Sequence, residues 1–186
     1  MRHRPRVGVS RCLLGDAVRY DGGHKRDDDL IEALEAHVEW VAVCPEVEIG
    51  MGTPREPIQL VAHIDGVASG DERVRLVGVD SGDDWTTRMC EWARAGVQAL
   101  VDLRLSGFVL KARSPSCGLG GVPVLQSQPE GATLAGRGLF AQALVELLPD
   151  LPMQEEEPLR SPSVREQFLM RVLAYHQSSR PRERTR

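Results

Sequence analysis

The sequence predicts a single α/β domain, a Rossmann-like three-layer sandwich around a mainly parallel sheet. Short apolar runs that end in loop residues are typical of buried strands, and here they alternate with amphipathic helical segments. The first strand, loop, helix and second strand form a βαβ unit, which favours a parallel sheet. A length of 186 residues suits one domain with a substantial core.

In the N-terminal half, acidic residues and glycines mark the boundaries of the elements. Asp27, Asp28 and Asp29 are expected to open a helix, because acidic groups in a first turn complement the helix dipole. Glycines and prolines after Cys44 predict a long shaped loop with no regular helix. The expected elements are a strand within residues 7–14, a glycine-rich loop over 15–23, the helix, a strand ending at Cys44, the loop over 45–57, and a hairpin or β-excursion from runs 58–64 and 74–79.

In the C-terminal half, helices alternate with one buried strand, over residues 107–110. One helix is expected from Asp83 or Asp84 to about Leu105, and a second from near Gly136 to Pro149. We divide the chain into an α/β unit over residues 1–152, an acidic link with a C-terminal helix over 153–177, and a basic tail over 178–186 that is expected to be disordered.

Composition and charge restrict the class of protein. Apolar residues make up 41% of the chain, and a net charge of −4 argues against nucleic-acid binding spread over the whole surface. No apolar run approaches the ~20 residues of a membrane helix, and residues 7–14 are too short and interrupted for a secretory signal. We therefore expect a cytoplasmic protein without a membrane partner, where cysteines serve metal binding or catalysis more often than disulfides.

Three cysteines each follow an apolar run that is interpreted as a strand: Cys12, Cys44 and Cys117. Because ligands bind beyond the carboxyl ends of the strands in open α/β sheets, we expect these thiols to meet and hold a metal centre. Their spacing matches no CxxC pattern, and a free cysteine often only fills core space. Cys90 differs, since it lies inside an amphipathic helix and is expected to pack there.

Four matches, in order along the chain, resemble the 2-thiouracil desulfurase family, and the resemblance covers about residues 6–150. They are SRCLLG at 10–15, VRYDG at 18–22, VCPE at 43–46 with GTPR at 52–55, and KARSPSCG at 111–118. The resemblance implies a 4Fe–4S cluster held by Cys12, Cys44 and Cys117, with the fourth iron open. It also implies removal of sulfur from thiolated uracil or uridine as hydrogen sulfide. Residues 163–175 resemble the junction where some members continue into a second domain.

An open iron in such a cluster would act as a Lewis acid that prefers sulfur, and water would replace the sulfur in a hydrolysis. Water needs a base, for which Glu46 is the first candidate and Glu48 the second. Glu46 can instead be a solvated loop carboxylate or one that shapes the turn. Ser114 and Ser116 are candidates for hydrogen bonds to cluster sulfur or substrate, with turn capping as the alternative.

Charged and aromatic residues near the cysteines are candidates for binding substrate. Arg55, Lys111 and Arg113 can offset the charge of the thiolates or bind a substrate phosphate, although surface ion pairs are the more common role of such residues. In the loop after Cys12, stacking and hydrogen bonds can hold a pyrimidine; the candidates there are Asp16, Tyr20 and Asp21.

Several alternatives stay open. Residues 136–141, GRGLFA, fit the G-x-G-x-x-A dinucleotide pattern, but they come late in the chain, which favours a glycine-lined helix start near the cluster loop. The histidines show no ligand spacing. The same three thiolates can hold zinc in a hydrolase, or the protein can be a non-catalytic cluster protein that senses redox state or carries sulfur. Expected partners are a thiolated pyrimidine base, nucleoside or nucleotide, and iron–sulfur assembly machinery that loads the cluster.

Overall fold

The computed structural model describes residues 4–63, 73–126 and 134–179. None of the helices in these residues has the length and apolar character needed to cross a bilayer. The strands are β1 (Arg6–Ser10), β2 (Glu39–Val43), β3 (Ile58–His63), β4 (Arg73–Gly78), β5 (Leu105–Leu110), β6 (Val122–Gln126), β7 (Leu134–Gly136) and β8 (Met153–Glu155). The helices are α1 (Asp28–Leu34), α2 (Pro45–Glu48), α3 (Thr86–Asp102), α4 (Leu139–Leu147) and α5 (Pro162–Ser178), with 3-10 turns at Arg11–Leu14 and Pro158–Arg160.

The first sheet is entirely parallel, with strand order β2-β1-β5-β8. Strand β1 pairs with β2 on one side and with β5 on the other, so the direction of strand addition reverses at β1. The carboxyl ends of all four strands lie at one edge of this sheet. A crevice outside such a reversal point is the usual ligand site in α/β folds.

A second, mixed sheet has the order β4-β3-β6-β7. Strands β3 and β4 pair antiparallel, from Ile58 opposite Gly78 to His63 opposite Arg73, which confirms the expected hairpin. Strand β6 is parallel to β3 and antiparallel to β7. The last residue of the first predicted hairpin strand, residue 64, lies outside the described residues.

Two apolar cores cover the two faces of the parallel sheet. On one face, α1 and α5 pack against β1 and β5. The other face contacts α3 and α4 in a larger core that also includes side chains of the second sheet. Within that core Phe108 of β5 meets Phe140 of α4, with ring centroids 5.7 Å apart. The expected α/β fold with helices on both faces of a parallel sheet is therefore confirmed.

The boundaries of several elements differ from the prediction. Pro45–Glu48 forms one helical turn where a loop was expected, because proline fits the first position of a helix, where its missing N–H is not needed. Helix α3 ends at Asp102 and α4 begins at Leu139, since the predicted helix ends, Leu105 and Gly136, belong to strands β5 and β7.

The segment expected to be an acidic link contains strand β8, which pairs with β5 from Phe108 opposite Met153 to Leu110 opposite Glu155. A strand of three residues is too short to show the alternation by which strands are identified in a sequence. Helix α5 follows and packs so closely on β5 that a side chain at Gly107 would lie 2.7 Å from Val172. Residues 180–186 of the predicted tail lie outside the described residues.

Candidate metal centre and active site

Three cysteines from the ends of three neighbouring strands line one cavity of about 320 Å³. Cys12 lies in the 3-10 turn after β1, Cys44 is the N-cap of α2 after β2, and Cys117 lies in the loop after β5. The cavity is at the carboxyl edge of the parallel sheet, beside the strand where the chain reverses its order. Cys90 lies in α3 and is absent from the cavity lining.

The environment of the three thiols disfavours their charged form. Burial and, to a smaller extent, the neighbouring Cys44 raise the pKa of Cys12 to about 11, although Arg19 and Lys111 oppose this shift. Burial likewise raises the pKa of Cys44 and of Cys117. The neighbouring thiols add to this increase of the pKa at Cys12 and Cys117. A bound cation would therefore be needed to hold all three as thiolates.

The donor set fits an iron–sulfur cluster better than a single ion. Thiolates are the ligands that such clusters require, and in a cubane each thiolate binds a different iron. A zinc site instead needs its ligands around one ion, at about 2.3 Å for sulfur. In the parts of the chain that the structure describes, no three His, Cys, Asp or Glu side chains are grouped closely enough for that.

Glu46 lines the same cavity and is held by two partners. Its Oε1 accepts a hydrogen bond of 2.5 Å from Ser116 Oγ, and its Oε2 accepts one of 3.1 Å from Arg55 Nε. Arg55 Nη2 also pairs with Oε2, and the side chain of Arg55 is only 5% exposed and that of Glu46 only 15%. Glu46 is therefore not a freely solvated loop carboxylate. Glu48, the second candidate, is exposed.

Arg55 joins the two loops that carry Cys12 and Cys44. Beyond its pair with Glu46, its guanidinium donates to the carbonyls of Val18, at 2.9 Å, and Gly52, at 2.6 Å. Its backbone N–H donates to the carbonyl of Tyr20. Protein acceptors thus occupy most of its donors, although the residue lines the cavity.

The loop that carries Cys117 is shaped by its two serines. Ser114 Oγ accepts hydrogen bonds from the backbone N–H groups of Ser116 and Cys117, at 3.3 and 3.1 Å. Ser116 is fully buried and directs its hydroxyl to Glu46. Ser114 also lies 3.0 Å from Ser116, oxygen to oxygen, and lines the cavity.

The glycine-rich segment 136–141 packs against the backbone of this loop and donates hydrogen bonds to it. The backbone N–H groups of Leu139 and Phe140 donate to the carbonyls of Pro115 and Ser116. A Cβ on Gly138 would lie 2.5 Å from the carbonyl atoms of Ser116. Glycine at this position therefore permits a close approach between helix α4 and the cysteine loop, as the sequence predicted for this motif.

Lys111 and Arg113 line the cavity, and each pairs with a glutamate that follows β8. Lys111 Nζ contacts Glu156, and Arg113 Nη2 lies 2.5 Å from Glu157 Oε1. Arg113 has a positive φ of 58°, which the surrounding loop must stabilise.

Of the three candidates in the loop after Cys12, only Tyr20 lines the cavity. Its ring is 40% exposed and lies 5.3 Å from the guanidinium carbon of Arg19. Asp16 accepts a 2.5 Å hydrogen bond from Arg11, and Asp21 accepts one of 2.9 Å from the N–H of Gly23. Both aspartates lie outside the residues that line the cavity.

Comparison with known proteins agrees with the resemblance seen in the motifs. The family model described as 2-thiouracil desulfurase matches residues 7–156. The chain belongs to the 2-thiouracil desulfurase family. An uncharacterized protein of Bacillus subtilis (strain 168), YbbK, is 31% identical over 137 residues, which is 73% of this chain and 87% of that protein.

The fold is similar to the solved structure of a 4Fe–4S-dependent thiouracil desulfidase, TudS, with a TM-score of 0.62 and 29% identity. The match covers 88% of this chain and 99% of that one. Membership of this family confirms that the chain is an enzyme. The matched range contains all three cavity cysteines and Glu46.

Three residues of the site were not among the candidates named from the sequence. Arg19 lines the cavity and belongs to the matched motif VRYDG, as Ser10 belongs to SRCLLG, but the motifs alone did not distinguish them from their neighbours. Ser10 accepts a 2.9 Å hydrogen bond from the N–H of Lys111 and so links the ends of β1 and β5. Glu156 reaches the site from the far end of the family range, where no local pattern distinguished it from its acidic neighbours.

Proposed function

We propose that this enzyme removes sulfur from a thiolated pyrimidine with a 4Fe–4S cluster held by Cys12, Cys44 and Cys117. The observation that carries the proposal is the common cavity, which combines three strand-end thiols with one paired carboxylate. The similarity to a desulfidase that depends on such a cluster supports the same cofactor here.

A cluster bound by three thiolates supplies one iron without a protein ligand, which is a Lewis acid with affinity for sulfur. In the net reaction the C–S bond of the thiocarbonyl breaks and a C–O bond to water forms. The two protons of water leave with the sulfur as hydrogen sulfide. No electrons are exchanged, so the reaction is a hydrolysis.

Glu46 is the proposed general base that takes a proton from this water. Both of its partners donate hydrogen bonds to it, so its oxygens act as acceptors in this site, as a base for water requires. Ser116 and Arg55 fix its orientation from opposite oxygens. Ser114 holds the loop so that Ser116 can do this. We propose that Arg55 has this positioning role in place of a phosphate contact.

Tyr20 offers an exposed aromatic face on the cavity wall, where a pyrimidine ring can stack. Lys111 and Arg113 place positive charge around the thiolates or an anionic substrate group. Asp16 and Asp21, paired within their own loop, shape that loop. The substrates we propose are 2-thiouracil, 4-thiouracil or 4-thiouridine, as base, nucleoside or nucleotide.

The two alternative functions make different predictions. A zinc hydrolase would be colourless and needs a three-ligand group, which the described residues do not provide. A redox sensor or sulfur carrier would bind the cluster but would not release sulfide from thiouracil. The carboxylate beside the thiols favours the enzyme over the sensor.

The test is anaerobic purification of the wild type and four cysteine variants. We expect brown wild-type protein with about four irons per chain, which releases sulfide from at least one member of a panel of thiolated bases, nucleosides and monophosphates. Serine at position 12, 44 or 117 should abolish both iron binding and sulfide release. Cys90→Ser is the matched control and should retain both; equal loss in this variant would refute the ligand assignment.

We further propose that the enzyme works in the cytoplasm, where iron–sulfur assembly machinery loads the cluster. The support for this location is that three of the four cysteines share a candidate metal site, and cysteines of reducing compartments serve metal binding more often than disulfides.

A further inference from the structure

Three consecutive glutamates at the end of β8 bind the loop that carries Cys117. Glu155 Oε1 accepts a 2.8 Å hydrogen bond from the N–H of Leu119. Glu156 Oε2 accepts one of 2.7 Å from the N–H of Ala112. Glu157 pairs with Arg113. Because β8 is parallel to β5, these carboxylates emerge at the same sheet edge as the cysteines and hold both ends of the loop.

Glu156, the middle one of these three glutamates, is much more buried than Glu157. The side chain of Glu156 is 4% exposed, and that of its partner Lys111 is 15% exposed. In contrast, Glu157 and Arg113 are 38% and 66% exposed. Exposed ion pairs contribute little, whereas removing one partner of a buried pair leaves an uncompensated charge. Since Glu156 and Glu157 are adjacent in the chain, their two ion pairs allow a buried pair to be compared with an exposed one.

Lys111 connects this buried pair to the cysteine cavity. It lines the cavity, and its backbone N–H is anchored on Ser10 Oγ. Its side chain is only 15% exposed and lines the same cavity as Cys12, Cys44 and Cys117. The ammonium group thus lies where it can act on the negative charge of the thiolates.

We propose that Glu156 is a positioning residue of the cluster site, which holds the Lys111 ammonium group at the cavity wall so that its charge offsets the cluster thiolates. This inference rests on the proposed function. Stability alone does not require the pair, because apolar side chains of similar volume often replace a buried ion pair without loss. Lys111 lines the cysteine cavity and Glu156 does not, so the charge of the ammonium group should act on a bound cluster more strongly than that of the carboxylate.

The midpoint reduction potential of the reconstituted cluster tests this charge arrangement. We would compare wild type with Lys111→Met, Glu156→Gln, the double variant and the exposed control Glu157→Gln, by anaerobic reductive titration followed by EPR. An unpaired carboxylate should lower the potential, and an unpaired ammonium should raise it. The expected order of potentials is therefore Lys111→Met lowest, then the double variant, wild type and Glu156→Gln. Glu157→Gln should lie between wild type and Glu156→Gln, because its partner Arg113 is far more exposed to solvent than Lys111.

Any other order overturns the inference. If the pair were purely structural, both single variants would shift the reduction potential in the same direction. A double variant with the potential of wild type would show that the Lys111 charge does not offset the cluster thiolates. If Glu156→Gln does not bind iron, the order of the potentials of wild type, Lys111→Met and the double variant still tests the proposed role of the pair. A wild type that binds the cluster but releases no sulfide would contradict the proposed reaction, while the order of potentials would still test the pair.

Discussion

Glu46 lies two residues after Cys44, but its contacts come from elsewhere in the chain. Ser116 is 70 positions away and Arg55 nine, and together they engage both carboxylate oxygens. One partner belongs to the loop of Cys117, and the other joins the loops of Cys12 and Cys44. The carboxylate therefore has a defined orientation only when all three cysteine loops are assembled.

At this scale the first prediction concerns Glu46→Gln, which preserves shape but removes the proton acceptor. The variant should retain its iron and visible absorbance, while kcat for sulfide release falls by ~10²–10⁴, the usual contribution of a general base. Glu48→Gln, on the exposed side of the same helical turn, is the control and should keep normal turnover. A kcat for Glu46→Gln within a few-fold of wild type would exclude Glu46 as the base.

At the scale of elements, the loop over residues 111–119 is held from two sides. The N-terminus of α4 contacts its backbone through Gly138, and the glutamates after β8 hold its ends. Such support matters because a loop has no ladder of its own to keep a metal ligand in place. The glycine-rich segment that resembles a dinucleotide motif thus has a packing role here.

A methyl group at position 138 tests this support. Gly138→Ala forces a Cβ against the carbonyl of Ser116, and overpacking of this kind costs about 1–3 kcal/mol because backbone atoms cannot move aside easily. We expect a lower melting temperature and fewer irons per chain. Gly120→Ala is the control, since a Cβ there meets nothing within 4 Å. Unchanged iron content in Gly138→Ala would show that this contact does not shape the site.

At the scale of the whole molecule, β8 and α5 complete the parallel sheet. Strand β8 covers the edge of β5, and α5 with the preceding 3-10 turn covers one face through Leu159, Phe168 and Val172, each at most 1% exposed. Burying three such side chains contributes about 5–9 kcal/mol, comparable to the total stability of a typical domain. The boundary expected at residue 152 therefore cuts through a packed unit.

Truncation measures this contribution directly. A chain that ends at residue 152 should be insoluble or lack a cooperative thermal transition, because the apolar face of β5 is then uncovered. A chain that ends at residue 179 should melt near the full-length temperature and bind the cluster, since it lacks only the tail predicted to be disordered. A stable, cluster-binding protein of residues 1–152 would show that the C-terminal elements are dispensable. Circular dichroism and iron analysis report both results.

Prediction from the sequence succeeded for elements whose signal lies in adjacent residues. The acidic first turn of α1 is confirmed, with Asp27 accepting a hydrogen bond from the N–H of Leu30. The βαβ opening and the hairpin of β3 and β4 are confirmed as well. It failed for the one-turn helix α2 and the three-residue strand β8, because elements this short have no periodicity to recognise. It also missed strand β6, Val122–Gln126, because Pro123 within this run argues against a strand.

The sequence by itself determined the fold class, the family and which three cysteines line the cavity, since each of these follows from local patterns and from motifs in a fixed order. Only the tertiary structure decided which side chains work together. It paired Glu46 with Ser116, placed Lys111 against Glu156 and left Asp16 and Asp21 outside the cavity lining. The physical reason is that hydrogen bonds and ion pairs depend on distances of a few ångströms between segments far apart in the chain, and no local pattern encodes these distances.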